Sequence, residues 1–283
     1  MIFFPNCKIN LGLRILRKRG DGYHDLETLF YPLGIKDVLE ISPLRASPVP
    51  PISPAAEHPD RPSFTAYGAP IPGDTDNNLC VKAYELIKKD FPALPPVHIY
   101  LYKHIPIGAG LGGGSSDGAF TLTALNQQFH LQLTTAQLLD YAARLGSDCP
   151  FFILNTPHIG LGRGERLAPI DLDLKGYKII LIHPQIHIST ARAFSLCKPN
   201  PSASSIKDII RQPITTWRNE LVNDFEGPVF QMHPELRAIK EMLYTQGAVY
   251  AALTGSGSSL FGIFPQDAAP TLPFHFEKFE LSC

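Results

Sequence analysis

Apolar positions change period along the chain, and each period predicts an element. Loose alternation over residues 7–16 reads as a strand, and a turn at Gly34 leads to a second over 37–41. Seven prolines between 43 and 62 then remove the N–H donors that a ladder needs, so an exposed loop is expected there, followed by a strand over 63–67. Leu79, Ala83, Leu86 and Ile87 fall at helical spacing behind Asp76-Asn77-Asn78, which predicts a helix over 79–89. Val97, Ile99 and Leu101 alternate with His98, Tyr100 and Tyr102 in a half-buried strand over 97–105. A helix over 116–129 comes next, and after it another that opens on a Thr134–Gln137 capping box and ends at Gly146. The glycines at 160, 162 and 164 read as a connector, which places a boundary between domains at 1–162 and 163–283. Beyond it, a buried strand over 177–183, a helix over 234–244 and strands over 249–253 and 259–264 complete an α+β pattern. No repeat of 20–50 residues stands out.

Between the strand at 97–105 and its helix lies Pro106-Ile107-Gly108-Ala109-Gly110-Leu111-Gly112-Gly113-Gly114-Ser115-Ser116-Asp117. Five glycines let successive amides converge on a ligand, and a helix opening at Ser115 or Ser116 adds its positive end, so a polyphosphate is the expected guest. Gly108, Gly110 and Gly113 also satisfy G-x-G-x-x-G, but no acid follows at about 20 residues to hold a ribose hydroxyl, and Asn126-Gln127-Gln128 stands there instead. A Walker loop needs a lysine where this chain has Ser115.

At 283 residues the chain is large enough for two cores, and its net charge of −1 gives no general pull toward nucleic acid or an anionic membrane. A small-molecule partner is favoured. Cys7, Cys80, Cys149, Cys197 and Cys283 are odd in number and never in C-x-x-C spacing, which argues against a disulfide frame or a zinc site. Residues 1–8 are apolar over too short a span for a signal peptide, and no run reaches transmembrane length. A reduced, cytoplasmic protein is expected, with Cys149 as a packing residue.

Two further stretches carry candidate chemistry. Leu253-Thr254-Gly255-Ser256-Gly257-Ser258-Ser259 is a second small-residue loop that a plain hairpin turn would also explain, and Lys8 and Asn10 share one face of the first strand, where a lysine is commonly a snorkelling surface residue. Together with the central loop, these stretches resemble the three motifs of the GHMP kinase superfamily. Lys8-Ile9-Asn10-Leu11-Gly12 through Gly22-Tyr23-His24, the stretch Leu145-Gly146-Ser147-Asp148-Cys149-Pro150-Phe151-Phe152, and Asn223-Asp224 extend the resemblance to the branch whose acceptor is a cytidyl-diphosphate-linked methylerythritol. The likeness spans most of the chain.

That resemblance implies an N-terminal domain of the ribosomal protein S5 domain 2-like type, a C-terminal ferredoxin-like domain, and an active site in the cleft between them. It implies transfer of the γ-phosphate of ATP to the 2-hydroxyl of the methylerythritol, in the non-mevalonate route to isoprenoid precursors. Residues 106–116 would hold the nucleotide phosphates. Asp148 would accept or align the hydroxyl proton, and Lys8 would attract the γ-phosphate. By the same resemblance Tyr23 and Phe194 would stack on the cytosine, His24 would bond its edge, and Asn10 and Thr190 would touch the diphosphate-methylerythritol end. Read from the residues alone, Asp148 would serve equally as a turn residue before Pro150, Tyr23-His24 as an exposed turn and Phe194 as core. Asn78, Leu79 and the Lys103-His104 pair align near the adenine pocket. Mg²⁺ is expected with ATP, held chiefly by phosphate oxygens and water, with no side-chain ligand assigned and Asp117 a doubtful one.

Overall fold

The computed structural model describes residues 1–44, 61–201, 204–271 and 277–282, so most of the proline-rich run, 45–60, lies outside the described residues. In chain order the strands and helices are β1 (Ile2–Phe3), β2 (Asn6–Lys18), β3 (His24–Lys36), β4 (Val38–Pro43), β5 (Ser63–Gly68), α1 (Leu79–Asp90), β6 (Val97–Lys103), α2 (Gly113–Gln128), α3 (Thr135–Leu145) and α4 (Cys149–Leu154). They continue with β7 (His158–Gly162), β8 (Arg166–Pro169), β9 (Tyr177–His183), α5 (Thr190–Leu196), α6 (Ile206–Ile210), α7 (Trp217–Glu220), α8 (Glu226–Met232), α9 (Pro234–Thr245), β10 (Tyr250–Leu253), β11 (Leu260–Pro265) and β12 (Glu277–Ser282). The class is α+β, as the alternating periods indicate.

The chain folds into two units, each assembled from separate stretches. The first comprises Met1–Cys7, Ile35–Ile107 and Gly113–Asn155. Its sheet runs β1-β4-β6-β5 and is antiparallel except for β5 against β6. Parallel neighbours need a crossover, and α1 supplies it. The alternation read in 97–105 has the expected result: Val97, Ile99 and Leu101 are fully buried, as are Cys80, Ala83, Tyr84 and Ile87 of α1 and Ala119, Leu122 and Leu125 of α2. Asn78 caps α1 by accepting from the Cys80 amide at 2.8 Å, and the Thr134–Gln137 capping box opens α3. Helix α2 starts at Gly113, two residues before the expected Ser115. Glycine is a weak helix former, but the first amides of a helix have no intrahelical partner, so the cost at this end is small.

The second unit comprises Lys8–Gly34, Gly108–Gly112 and Thr156–Cys283. One sheet runs β2-β3-β7-β8 and the other β10-β11-β9-β12. Strand β9 lies between β11 and β12, and its run Ile179-Ile180-Leu181-Ile182 is buried throughout. Leu13 and Ile15 of β2 pack with Ile180, Ile182, Phe225, Leu236, Ile239 and Phe264 in one core. The glycines at 160–164 are not a connector. They end β7 and turn into β8, its antiparallel partner, so a single cut at 162 falls inside a hairpin whose sheet continues through β2 and β3.

Candidate active site

Residue alternation puts Lys8 and Asn10 on one face of β2, and both side chains are buried. The Lys8 ammonium donates to Asn10 Oδ1 at 2.8 Å and to the Gly110 carbonyl at 3.1 Å, and lies 5.4 Å from the centre of the Phe30 ring. The snorkelling alternative is thereby excluded. Asn10 is committed at both ends, because its Nδ2 donates to Thr28 Oγ1 at 2.9 Å. Its backbone amide donates to Thr254 Oγ1 at 3.1 Å, and the Thr254 hydroxyl lies 3.2 Å from the Gly110 carbonyl.

The glycine loop is held from its carbonyl side. Ala109 O accepts from the Ser259 amide at 3.2 Å, and Leu111 O accepts from the Lys8 amide at 3.0 Å. The N–H and C=O of a trans peptide point in opposite directions, so the amides of Gly110, Leu111 and Gly112 are aimed away from these partners. Gly108, Gly110 and Gly112 all have φ between +67° and +80°, a left-handed conformation in which successive amides form an anion nest. At Gly110 a side chain is excluded on two counts, since a Cβ would also stand 2.1 Å from the Thr254 carbonyl oxygen.

The 16-residue helix α2 that follows begins with Gly113 and Gly114, and presents its unpaired first amides. Ser116 is buried, and its hydroxyl has no hydrogen-bond partner among the described residues. Beneath this turn lies a buried charge cluster. Lys103 Nζ contacts Asp37 Oδ2 and lies 2.7 Å from Asp117 Oδ2, while the His104 and Ile105 amides donate to Asp37 Oδ1 at 2.6 and 2.9 Å. Burial, and then the charge of Asp37, push the Asp117 carboxyl up to about 8 against the pull of Lys103. Burial works against the Lys103 ammonium, but its two carboxylates outweigh it and hold its pKa above the usual lysine value. The expected place of Lys103 at the adenine is thus corrected for its side chain, which is spent inside the protein.

Asp148 is half-buried immediately before α4 and makes no capping hydrogen bond, so a helix-cap role does not account for it. Its neighbour Cys149 is buried, and burial pushes its thiol up to about 12, against a hydrogen bond from Ser115 that lowers it; this is a packing residue and not a thiolate.

On the second unit His24 lies over Phe194, ring centres 4.9 Å apart and planes within 15°, and Phe194 meets Phe225 edge-on at 4.8 Å. Burial, and then Lys18, lower the His24 pKa, which favours the neutral ring with one donor and one acceptor nitrogen. Tyr23 is 54% exposed, and the Arg163 guanidinium stands 4.9 Å from its ring centre. Thr190 is exposed and shares a hydrogen bond with Ser256 at 2.9 Å. Asn223 and Asp224 brace this region. Asn223 Nδ2 donates to the Leu253 and Gly255 carbonyls, and Asp224 Oδ2 accepts from the Ile15 amide at 2.7 Å. Thr28 and Arg163 carried no signal in the sequence, because a threonine in a strand and an arginine in a turn are ordinary there.

A nest of amides and a buried ammonium against that loop suit a phosphotransferase that binds a nucleotide. Comparison with known proteins gives the class: residues 78–156 match the GHMP kinases N terminal domain and residues 194–273 the GHMP kinases C terminal domain. The chain is 49% identical over 277 residues to 4-diphosphocytidyl-2-C-methyl-D-erythritol kinase of Bacteroides fragilis, which covers 97% of this chain and 96% of that protein. It is 51% identical over 273 residues to the enzyme of the same name from Bacteroides thetaiotaomicron, covering 96% of this chain and 94% of that one. A crystal structure of 4-(cytidine 5'-diphospho)-2C-methyl-D-erythritol kinase superposes with a TM-score of 0.71 at 29% identity, over 93% of this chain and 89% of that one. A mevalonate kinase crystal structure shares the fold, with a TM-score of 0.70 at 11% identity over 99% of this chain and 98% of that one. The chain belongs to the 4-diphosphocytidyl-2-C-methyl-D-erythritol kinase family of GHMP kinases.

Proposed function

We propose that the chain transfers the γ-phosphate of ATP to the 2-hydroxyl of 4-diphosphocytidyl-2-C-methyl-D-erythritol, in the non-mevalonate route to isoprenoid precursors. The observation that carries this acceptor over mevalonate or homoserine is the neutral His24 ring stacked on Phe194. A neutral imidazole offers both a donor and an acceptor to a base edge, and aromatic rings give a base its platform; an alcohol without a base needs neither. Tyr23 supplies a further exposed ring, and Thr190 a hydroxyl for the diphosphate-methylerythritol end. Asn10, already bonded to Lys8 and Thr28, acts there through Lys8.

Residues 106–116 hold the ATP phosphates through the nest amides, the α2 end and the hydroxyls of Ser115 and Ser116. The acceptor oxygen forms its bond to the γ-phosphorus as the bond from that phosphorus to the β–γ bridging oxygen breaks, and ADP leaves. The hydroxyl proton passes to the Asp148 carboxylate. Lys8, a point cation held by Asn10 and Gly110, meets charge spreading over the transferring group. Mg²⁺ bound with the nucleotide would supply charge neutralisation on its phosphates. Asp117, tied to Lys103, is not proposed as its ligand. The protein is placed in the cytoplasm, in keeping with Cys7, Cys80, Cys149 and Cys197, none of which forms a disulfide among the described residues; no helix among the described residues is long and apolar enough to cross a membrane.

A coupled ADP-release assay with the cytidyl acceptor, mevalonate and homoserine in parallel tests the reading. Turnover with the cytidyl compound alone is expected. Turnover with mevalonate or homoserine and none with the cytidyl compound would overturn it.

A further inference from the structure

Asn10 grips the Lys8 ammonium with its oxygen and not its nitrogen, and the reason lies one residue further along a chain of hydrogen bonds. Thr28 Oγ1 is 2.6 Å from the Gly12 carbonyl oxygen and 2.9 Å from Asn10 Nδ2. A carbonyl has no proton to give, so the single hydroxyl proton of Thr28 goes to Gly12, and toward Asn10 this hydroxyl presents only lone pairs. The Asn10 amide must therefore turn its NH₂ to Thr28, which aims its Oδ1 at Lys8 Nζ, 2.8 Å away. With the amide reversed, an NH₂ would face an ammonium in a buried site, donor against donor. Lys8, Asn10 and Thr28 are 3%, 2% and 1% exposed, so water does not relieve that conflict.

From this we propose that Thr28 is a positioning residue for phosphoryl transfer: its hydroxyl sets the Asn10 amide, and through it the direction of the Lys8 ammonium. The proposal rests on the assignment of Lys8 above. It assigns a role to β3, an element that adjoins neither the phosphate loop nor Asp148 in the chain. The effect falls on turnover and not on affinity, because Thr28 is buried behind Asn10 and the Lys8 charge is retained whichever way the amide lies.

The test compares Thr28→Val, Thr28→Ser, Lys8→Met and the double variant Thr28→Val/Lys8→Met by steady-state kinetics with both substrates. Thr28→Val, nearly equal in shape, is expected to lower kcat at least 10-fold with both KM values within threefold of wild type. Thr28→Ser keeps the hydroxyl and should return kcat to within threefold. In the Lys8→Met background, Thr28→Val should add less than a twofold further loss, because the group it orients is gone. Should Thr28→Val not fold, Thr28→Cys, with a weak S–H donor of similar size, must show the same kcat-selective loss. Wild-type kcat in Thr28→Val beside a strongly impaired Lys8→Met would overturn the relay and leave Lys8 standing. A Lys8→Met enzyme that turns over normally would overturn the assignment of Lys8 itself. A Thr28→Val loss that persists undiminished in the Lys8→Met background would show an effect not routed through the ammonium, and would also overturn the relay.

Discussion

Replacing Asn223 by alanine removes three hydrogen bonds from a fully buried site: those from Nδ2 to the Leu253 carbonyl at 2.8 Å and the Gly255 carbonyl at 2.9 Å, and that from the Phe225 amide to Oδ1 at 3.0 Å. At about 1 kcal/mol net for each, the loss comes to about 3 kcal/mol, a large share of the 5–15 kcal/mol that a folded domain has in reserve. Asn223→Asp separates hydrogen bonding from packing. It keeps the volume and the acceptor for the Phe225 amide, but sets a carboxylate oxygen against two carbonyls at a fully buried position, so its cost should equal or exceed that of alanine and should ease at low pH as the carboxyl takes up a proton. Equilibrium unfolding in urea, followed by fluorescence, suits this test because the single tryptophan, Trp217, is buried in the same unit against Tyr250. A loss below about 1 kcal/mol for alanine, against the 3 kcal/mol worked out above, would refute the clamp, as would an aspartate variant as stable as wild type.

Gly110→Ala should abolish turnover, because φ of +80° costs a side chain about 1–2 kcal/mol and the added Cβ must displace the Thr254 backbone, which moves the carbonyl that Lys8 grips; kcat within tenfold of wild type would show that the loop can give way. The raised Asp117 carboxyl predicts a pH signature. Between the ordinary carboxylate value and about 8 the folded chain keeps a proton at Asp117 that the unfolded chain has released, so the contribution of this group to stability is fully present at acid pH and falls as pH rises, by at most about 1.4 kcal/mol per unit. Asp117→Asn should flatten that fall in melts from pH 5 to 9, and parallel curves for the two proteins would contradict it. Phe194→Ala removes the ring under His24 and should raise the acceptor KM about tenfold, within the range of 1–3 kcal/mol for one stacked base, with the ATP KM unchanged; an equal rise for both substrates would mean that Phe194 is core alone.

How much of this could be read from the chain depends on how far the information travels. Periods and caps are local, so β6, β9, α1 and the capping box of α3 followed from a few neighbouring residues, and the glycine loop showed in its composition the left-handed backbone that it adopts. Pairing is not local. A period of two in β2 gives the face that Lys8 and Asn10 share, but nothing in it points to Thr28, 18 residues from Asn10, or to Thr254, 244 away. The charge cluster was hidden for the same reason: Asp37, Lys103 and Asp117 are distant in sequence, and each alone reads as a surface residue or a ligand. The glycines at 160–164 misled because a hairpin and a connector call for the same residues, and only the pairing of β7 with β8 separates them.

The most direct measurement is on the product itself. The protein is incubated with ATP, Mg²⁺ and 4-diphosphocytidyl-2-C-methyl-D-erythritol, and the mixture is followed by phosphorus NMR. One new phosphomonoester resonance is expected, coupled to the tertiary carbon at position 2 and growing in step with ADP. An acceptor recovered unchanged, or a phosphate on any other hydroxyl, would contradict the account.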